Sequence, residues 1–291
     1  MNGNRPQPSP LQRLEQALSQ WRQWQCRPAL TQAPTVREEL QGGLSNHSYL
    51  VQAENHLLVV RLDGINPADH GLNRQIEYRV LQTASTAGIA PTPRYFNPDL
   101  GAMVVDYHTG QAGERVTAAG LAQLLRSIHS LPATHHRVEV GERIRRYLHR
   151  LQSDNGIDLP RAYRQRLFAL LETTDPISRQ HKVLTHNDLM PANLLQSGRH
   201  LLALDWEYCG MGSPWFDLAV ASLGQDFGEA QQGELLNHYL GSQATASQTL
   251  ILRQYRSLAR YIELLWHLTA RPAAEPDTVL QRGLAMIDRE A

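Results

Sequence analysis

The sequence predicts an α+β protein of two lobes, a small antiparallel sheet with a helix on it followed by a larger, mainly helical lobe. Three observations predict it. Residues 36–63 and 92–107 read as short strands broken by tight turns. Beyond Thr109–Gly110 the apolar residues recur at helical spacing almost to the C-terminus. One β-rich insert, "VLTHNDLMPANLLQSGRHLLALDWEY" from Val183 to Tyr208, interrupts those helices.

The elements follow in order. Ser9 and Pro10 suit an N-cap and a first helical position. Leu11, Leu14, Leu18 and Trp21 then share a face of a helix expected to run to about Trp24. "REELQGGLSNHSYLVQAENHLLVVRLDG" reads as strand, Gly-bearing loop, strand, turn at Glu54–Asn55, strand. A helix follows with Ile76, Val80 and Leu81 inward and Gly88 as its stop. "TPRYFNPDLGAMVVDY" is a hairpin turning at "NPDLG". Helices are expected over about 116–130, 141–152, 160–173, 214–224, 229–240, 246–269 and 277–288, with "QSGRH" turning one strand of the insert into the next. The expected division is residues 1–107 and 108–291, with a ligand cleft where the lobes meet.

Composition bounds the function. A chain of 291 residues with 42% hydrophobic and 19% charged residues can bury a sizeable core and is unlike a disordered protein. Lys plus Arg and Asp plus Glu both number 28, so no global basic field invites nucleic acid. Two cysteines, Cys26 and Cys209, make no disulfide framework, which favours a reducing compartment. The N-terminus has no apolar signal region, and no run approaches the ~18 residues that cross a bilayer. The expectation is a cytoplasmic protein with no membrane insertion.

The insert carries the chemistry. "HNDLMPAN" sets Asp188 and Asn193 five positions apart, the spacing of the catalytic loop H-R-D-x-x-x-x-N. Phosphoryl transfer needs a carboxylate near the attacking hydroxyl, a role that suits Asp188. It also needs oxygen ligands for Mg²⁺. The Asn193 amide and Asp205, at the end of the apolar strand "LLALDW", suit that role. Pro191 stiffens the loop, and His186 is placed to hold it by hydrogen bonds. In the first lobe, "GGLSNHSYLV" could bring backbone N–H groups and the Ser45 and Asn46 side chains to ATP phosphates. Arg61, inside the apolar strand "LLVVRLDG", suits a guanidinium forked onto the same phosphates, with Glu77 as the carboxylate that holds it. "VVDYHTG" joins the lobes, so the Asp106–Tyr107 backbone is the expected acceptor–donor edge for adenine.

Together these residues resemble the choline, ethanolamine and thiamine kinases, within the broader aminoglycoside-phosphotransferase-like, protein-kinase-like fold. "GGLSNHSYLV" looks like their G-G-x-[ST]-N loop, and "VVRLDG" like their strand with Arg where protein kinases carry Lys. "THNDLMPANLL" resembles their catalytic loop and "LDWEYCGMGSPWFDLA" their metal-binding segment. The resemblance covers about Gly42 to Ala219 in order. It implies Asp188 as base, Asn193 and Asp205 as metal ligands, Glu207 near the metal or substrate, and Asp217 as a brace for the catalytic loop. It also implies Arg61 and Glu77 as the phosphate-positioning pair, and ATP with Mg²⁺ as cofactors.

Eleven residues separate Asp205 from Asp217, too few for a peptide-holding activation segment, so the expected partner is a small alcohol. Aromatic faces bind quaternary ammonium groups. Trp206, Tyr208, Trp215 and Trp266, with acidic Glu263, therefore form the expected pocket for a cationic alcohol such as choline, ethanolamine or thiamine. An aminoglycoside or amino-sugar kinase shares every ATP-side residue and stays open. So does a nucleotide-binding pseudokinase scaffold, although Asp188, Asn193 and Asp205 are all present.

Overall fold

In the computed structural model, residues 9–40, 46–198, 200–270 and 276–290 are described below. Helix α1 (Pro10–Ser19) leads into the sheet strands β1 (Thr35–Leu40), β2 (Asn46–Ala53) and β3 (His56–Asp63). Helices α2 (Pro67–His70) and α3 (Arg74–Thr86) and strands β4 (Pro93–Asn97), β5 (Ala102–Asp106) and β6 (Gln111–Ala112) follow. Then come α4 (Ala118–His129), α5 (Val140–Asn155), α6 (Arg161–Gln180), β7 (Val183–Thr185), β8 (Leu194–Ser197), β9 (His200–Ala203) and β10 (Gly210–Gly212). The chain ends with α7 (Pro214–Gly224), α8 (Glu229–Leu240), α9 (Ala246–Ala270) and α10 (Pro276–Arg289). Two compact units result: the first comprises the residues up to Glu114 with Leu194–Tyr208, and the second Arg115–Asn193 with the residues from Cys209 onward.

The first unit is built on an antiparallel sheet of order β1-β2-β3-β5-β4. The β2–β3 turn is possible because Glu54 adopts φ 52°, the left-handed region that a tight hairpin demands. Along β3, Leu58, Val60 and Leu62 alternate into a core shared with Leu14, Ala17, Trp21 and Trp24. Period-two alternation therefore sends Arg61 and Asp63 to the opposite face. Helix α1 covers the core face of the sheet. Ser9 caps it, with Gln12 closing a capping box. Arg13 donates to the Asp63 carbonyl at 2.6 Å and so pins α1 to the end of β3.

Leu11 differs from expectation: it is 63% exposed. It lies roughly 60° round the helix from Leu14, on the side away from buried Ala17. The helix also ends at Ser19, and Trp21–Gln23 form a 3-10 turn that sets Trp21 against the core.

Helix α3 buries Ile76, Val80, Leu81 and Ala84, and with them the polar Arg74 and Glu77. The β8–β9 hairpin pairs with β6, and the Ala203 N–H donates to the Ile89 carbonyl at 2.8 Å, which places Asp205 at the end of a strand anchored in this unit.

In the second unit α9 packs against α5, α6, α7 and α10. Helix α6 runs on to Gln180, past its expected end near Thr173, and carries Pro176 inside it. Tyr255 of α9 spans that proline, its hydroxyl 2.6 Å from Ser178 Oγ and 3.1 Å from the Thr174 carbonyl. Strands β7 and β10 pair antiparallel and frame the loop that holds Asp188. No described helix is long and apolar enough to cross a membrane.

Candidate active site

In the second unit, "HNDLMPAN" follows β7 directly. Asp217, in the first turn of α7, is fully buried. Its carboxylate accepts from the His186 N–H at 2.7 Å, the Asn187 N–H at 2.5 Å and His129 Nε2 at 3.1 Å. His129 Nδ1 lies 2.8 Å from the Tyr239 hydroxyl, so α4 and α8 hold the acceptor that holds the loop. Burial, then the Asp217 charge, pushes Tyr239 up to about 12, which keeps this hydroxyl a neutral partner. Asn187 has φ 67°, a conformation that costs a residue with a side chain roughly 1–2 kcal/mol. The Asp217 bond and a 2.8 Å bond from Asn187 Nδ2 to Thr185 Oγ1 stabilise it.

The kink turns Asp188 out of the buried run, and its side chain is half-buried. Asn193 Nδ2 donates to Asp188 Oδ2 at 2.8 Å and to the Asp188 carbonyl at 2.9 Å. These bonds orient the amide so that Asn193 Oδ1 is the atom left for a cation. His186 is buried and takes part in the loop through its backbone N–H to Asp217.

In the first unit, a charge network lies on the face of the sheet opposite α1. Arg61 forms an ion pair with Glu77, the carboxylate expected beside it, and a second at 2.7 Å with Asp205. Burial opposes the Arg61 charge, yet Glu77, Asp205 and Glu207 outweigh it and hold the guanidinium firmly protonated. Burial, then the neighbouring Glu207, pushes Asp205 up to about 7, against the pull of Arg61. Asp63 also shifts up, by burial first, with Arg74 opposing. The four carboxylates Asp63, Glu77, Asp205 and Glu207 surround the guanidiniums of Arg61 and Arg74, leaving negative charge in excess.

That excess bears on Mg²⁺. Among the described residues no group of three or more His, Cys, Asp or Glu side chains is arranged to hold a metal. Mg²⁺ needs no such cage, since one or two carboxylates plus waters and phosphates are its usual ligands. Asp205, raised first by burial and then by its acidic neighbour, and 29% exposed at the side chain, is the carboxylate of this network that a cation could reach.

Several expectations need correction. Asn46 does not present its amide to a phosphate: Nδ2 donates to Glu207 Oε2 at 3.1 Å and Asp205 Oδ2 at 3.3 Å. Ser45 and the Gly-Gly loop lie outside the described residues. Glu207 is buried, with Oε2 held by Asn46 and by Arg74 at 3.0 Å, so this oxygen is part of the charge network. The donor half of the adenine edge also fails. The Asp106 N–H is taken by the Thr92 carbonyl at 2.9 Å and the Tyr107 N–H by Leu57 at 3.0 Å, because β5 is an inner strand. The Asp106 carboxylate grips Arg94 through two bonds of 2.7 and 2.6 Å.

Among the pocket aromatics, Trp206 is 1% exposed and its ring N–H donates to the Ala203 carbonyl at 3.0 Å, so it is a core residue and not a ligand wall. Tyr208 is buried, whereas Trp215 and Trp266 are half-buried. Glu263 is exposed and pairs with Arg260 at 2.9 Å, which cancels much of the charge expected of it. Arg74, Asp63, His129 and Tyr239 were not expected. Arg74 was legible, since Arg74 and Glu77 stand three apart on one helical face. His129 and Tyr239 carry no local signal.

The profile of the Phosphotransferase enzyme family matches residues 36–261. The chain belongs to the phosphotransferase enzyme family. Thiamine kinase of Escherichia coli O17:K52:H18 is 28% identical to this phosphotransferase over 232 residues, 78% of each chain. Choline kinase LicA from Streptococcus pneumoniae has a TM-score of 0.73 at 22% identity, covering 87% of this chain and 94% of that one. LicA in complex with AMP has a TM-score of 0.71 at 21% identity, covering 90% and 95%. The phosphotransferase therefore has the α+β, protein-kinase-like fold expected from its motifs, and it is an enzyme that transfers a phosphoryl group to a hydroxyl acceptor.

Proposed function

We propose that this phosphotransferase uses ATP and Mg²⁺ to phosphorylate the hydroxyl of a small cationic alcohol of the choline, ethanolamine or thiamine kind. The observation that carries the proposal is the catalytic loop. A fully buried Asp217 fixes the backbone of His186 and Asn187, and the kink leaves Asp188 accessible beside Asn193. In this reading Asp188 orients the acceptor hydroxyl and takes its proton as the oxygen bonds to the γ-phosphorus. ADP leaves with the electrons of the broken phosphorus–oxygen bond, and Asp188 then returns the proton to water.

Asn193 Oδ1 and Asp205 are the proposed Mg²⁺ ligands, and the ion would supply charge neutralisation on the transferring phosphates. Arg61, aimed by Glu77, is the proposed phosphate-positioning cation. LicA with AMP, similar in fold, supports nucleotide use. The thiamine kinase and LicA likenesses favour a cationic acceptor. Trp215 and Trp266 are the aromatic faces proposed for it, each contact worth about 2 kcal/mol when desolvated. Cys26 and Cys209, both buried and in no disulfide, accord with a cytoplasmic location.

A panel assay tests the proposal. ADP release is followed with Mg-ATP plus choline, ethanolamine, thiamine, aminoglycosides or amino sugars. Stimulation by one of the first three supports it. Stimulation only by aminoglycosides or amino sugars rejects the cationic-alcohol acceptor, and release that is unaltered across the panel rejects every acceptor tested.

A further inference from the structure

One guanidinium touches three of the four carboxylates of the first-unit network. Arg74 is the first residue of α3, is only 8% exposed, and points among partners from separate segments. Nη1 lies 2.7 Å from Glu77 Oε2 and 3.0 Å from Glu207 Oε2. Nη2 lies 2.7 Å from Asp63 Oδ1 at the end of β3 and 3.3 Å from Asn46 Oδ1 on β2.

Two consequences follow from this geometry. Glu77 has one oxygen on Arg61 and the other on Arg74, so Arg74 prevents the carboxylate from rotating to take Arg61 with both oxygens. Arg61 is thereby aimed by a carboxylate whose far side is fixed. Glu207 stands two residues beyond Asp205, and Asp205 adopts φ 53°, a left-handed conformation costing roughly 1–2 kcal/mol for a non-glycine residue. Asp205 is held on its own side chain by Arg61 and Asn46, and the chain just beyond it is held by Arg74 through Glu207.

We propose that Arg74 is a positioning residue for nucleotide phosphates, acting through Glu77 on Arg61 and through Glu207 on the backbone that presents Asp205. The inference rests on the phosphotransferase reading of the site. Charge alone is insufficient for this role. A lysine keeps the positive charge but is a point donor on a flexible stem, and it cannot fork across Glu77, Glu207, Asp63 and Asn46 at once.

Arg74→Lys therefore isolates geometry from charge. Calorimetric titration of the full chain with ADP, with and without Mg²⁺, and with adenosine reads the effect. The variant is expected to bind Mg-ADP about tenfold more weakly, the usual weight of a lost bond to a charged group. ADP without Mg²⁺ should weaken in the same direction, because Arg61 is involved, while adenosine affinity stays unchanged. In turnover the Michaelis constant for ATP should rise and that for the acceptor should not.

Unaltered Mg-ADP affinity in folded Arg74→Lys overturns the proposal. Equal losses for adenosine and Mg-ADP also overturn it, since they mark a purely structural role. If Arg74→Lys does not fold, Asp63→Asn loosens Arg74 without touching Glu77 or Glu207. It must then give a smaller loss confined to the phosphate-bearing ligands, and wild-type binding overturns the proposal. Failure of the wild-type chain to bind Mg-ADP would instead reject the underlying nucleotide reading.

Discussion

Asp217→Asn tests how the catalytic loop is held. The carboxylate accepts from two backbone N–H groups, at 2.7 Å from His186 and 2.5 Å from Asn187, and from His129 Nε2 at 3.1 Å, with no exposure to water. An amide is nearly isosteric but replaces one acceptor with a donor. Either the His186 or the Asn187 N–H must then face an NH₂ group. One bond to a charged acceptor is lost, worth about 1.5–3 kcal/mol, and a buried donor is left without an acceptor at about 1–3 kcal/mol. The total of roughly 2.5–6 kcal/mol exceeds the roughly 1–2 kcal/mol by which the φ 67° conformation of Asn187 is disfavoured. Asn187 is therefore expected to relax toward an ordinary backbone conformation and carry Asp188 with it. A shift of about 1 Å in a catalytic group can cost about 10²-fold in rate. Turnover measured by coupled ADP release should thus fall about 10²-fold while the Michaelis constant for ATP changes little. The thermal midpoint should fall as well. A variant with turnover within twofold of wild type would show that Asp217 does not set the position of Asp188 (twofold being about 0.4 kcal/mol).

Other outcomes can be checked with the same preparations. Asp188→Asn should retain Mg-ADP binding and lose roughly 10²–10⁴ in turnover, the weight of general-base assistance; loss of binding with normal turnover per bound nucleotide would remove the base assignment. Asp205→Ala should raise the Mg²⁺ concentration needed for half-maximal activity, because a hard oxygen ligand is lost; an identical Mg²⁺ titration would take Asp205 out of the metal site. Tyr261 is buried, its hydroxyl donates to the Tyr163 carbonyl at 3.0 Å, and burial above all pushes it up to about 12. The folded chain keeps this proton between about pH 10, the unfolded value, and pH 12, so stability is lost across that window at up to about 1.4 kcal/mol per pH unit. Denaturant midpoints should fall more steeply with pH there in wild type than in Tyr261→Phe, and equal slopes would count against the shift.

Much of the fold was legible because it is coded by local pattern. The α7 span Pro214–Gly224 and the α8 span Glu229–Leu240 follow from caps and apolar spacing alone, and the turn at Glu54–Asn55 from its flanking alternation. The boundary of α6 was not, since a proline that usually ends a helix is carried inside one whose flanks Tyr255 holds from α9. Trp206 shows the same limit: its aromatic face fits a cation pocket in sequence, and only packing shows that it fills the core and donates to Ala203.

The amino-acid sequence by itself determined the chemical alphabet of the site: a carboxylate and an amide at catalytic-loop spacing, a strand-borne Asp205, and a charged arginine inside an otherwise apolar strand. Those signals lie within one element or one loop, where spacing dictates which side chains share a face. Only the tertiary structure decided which charges meet. Arg74 reaches Glu207 across 133 positions, Asn46 reaches Asp205 across 159, and His129 reaches Asp217 across 88. No periodicity spans such distances. A buried ion must find its partner wherever packing leaves one, and that is a property of the folded chain.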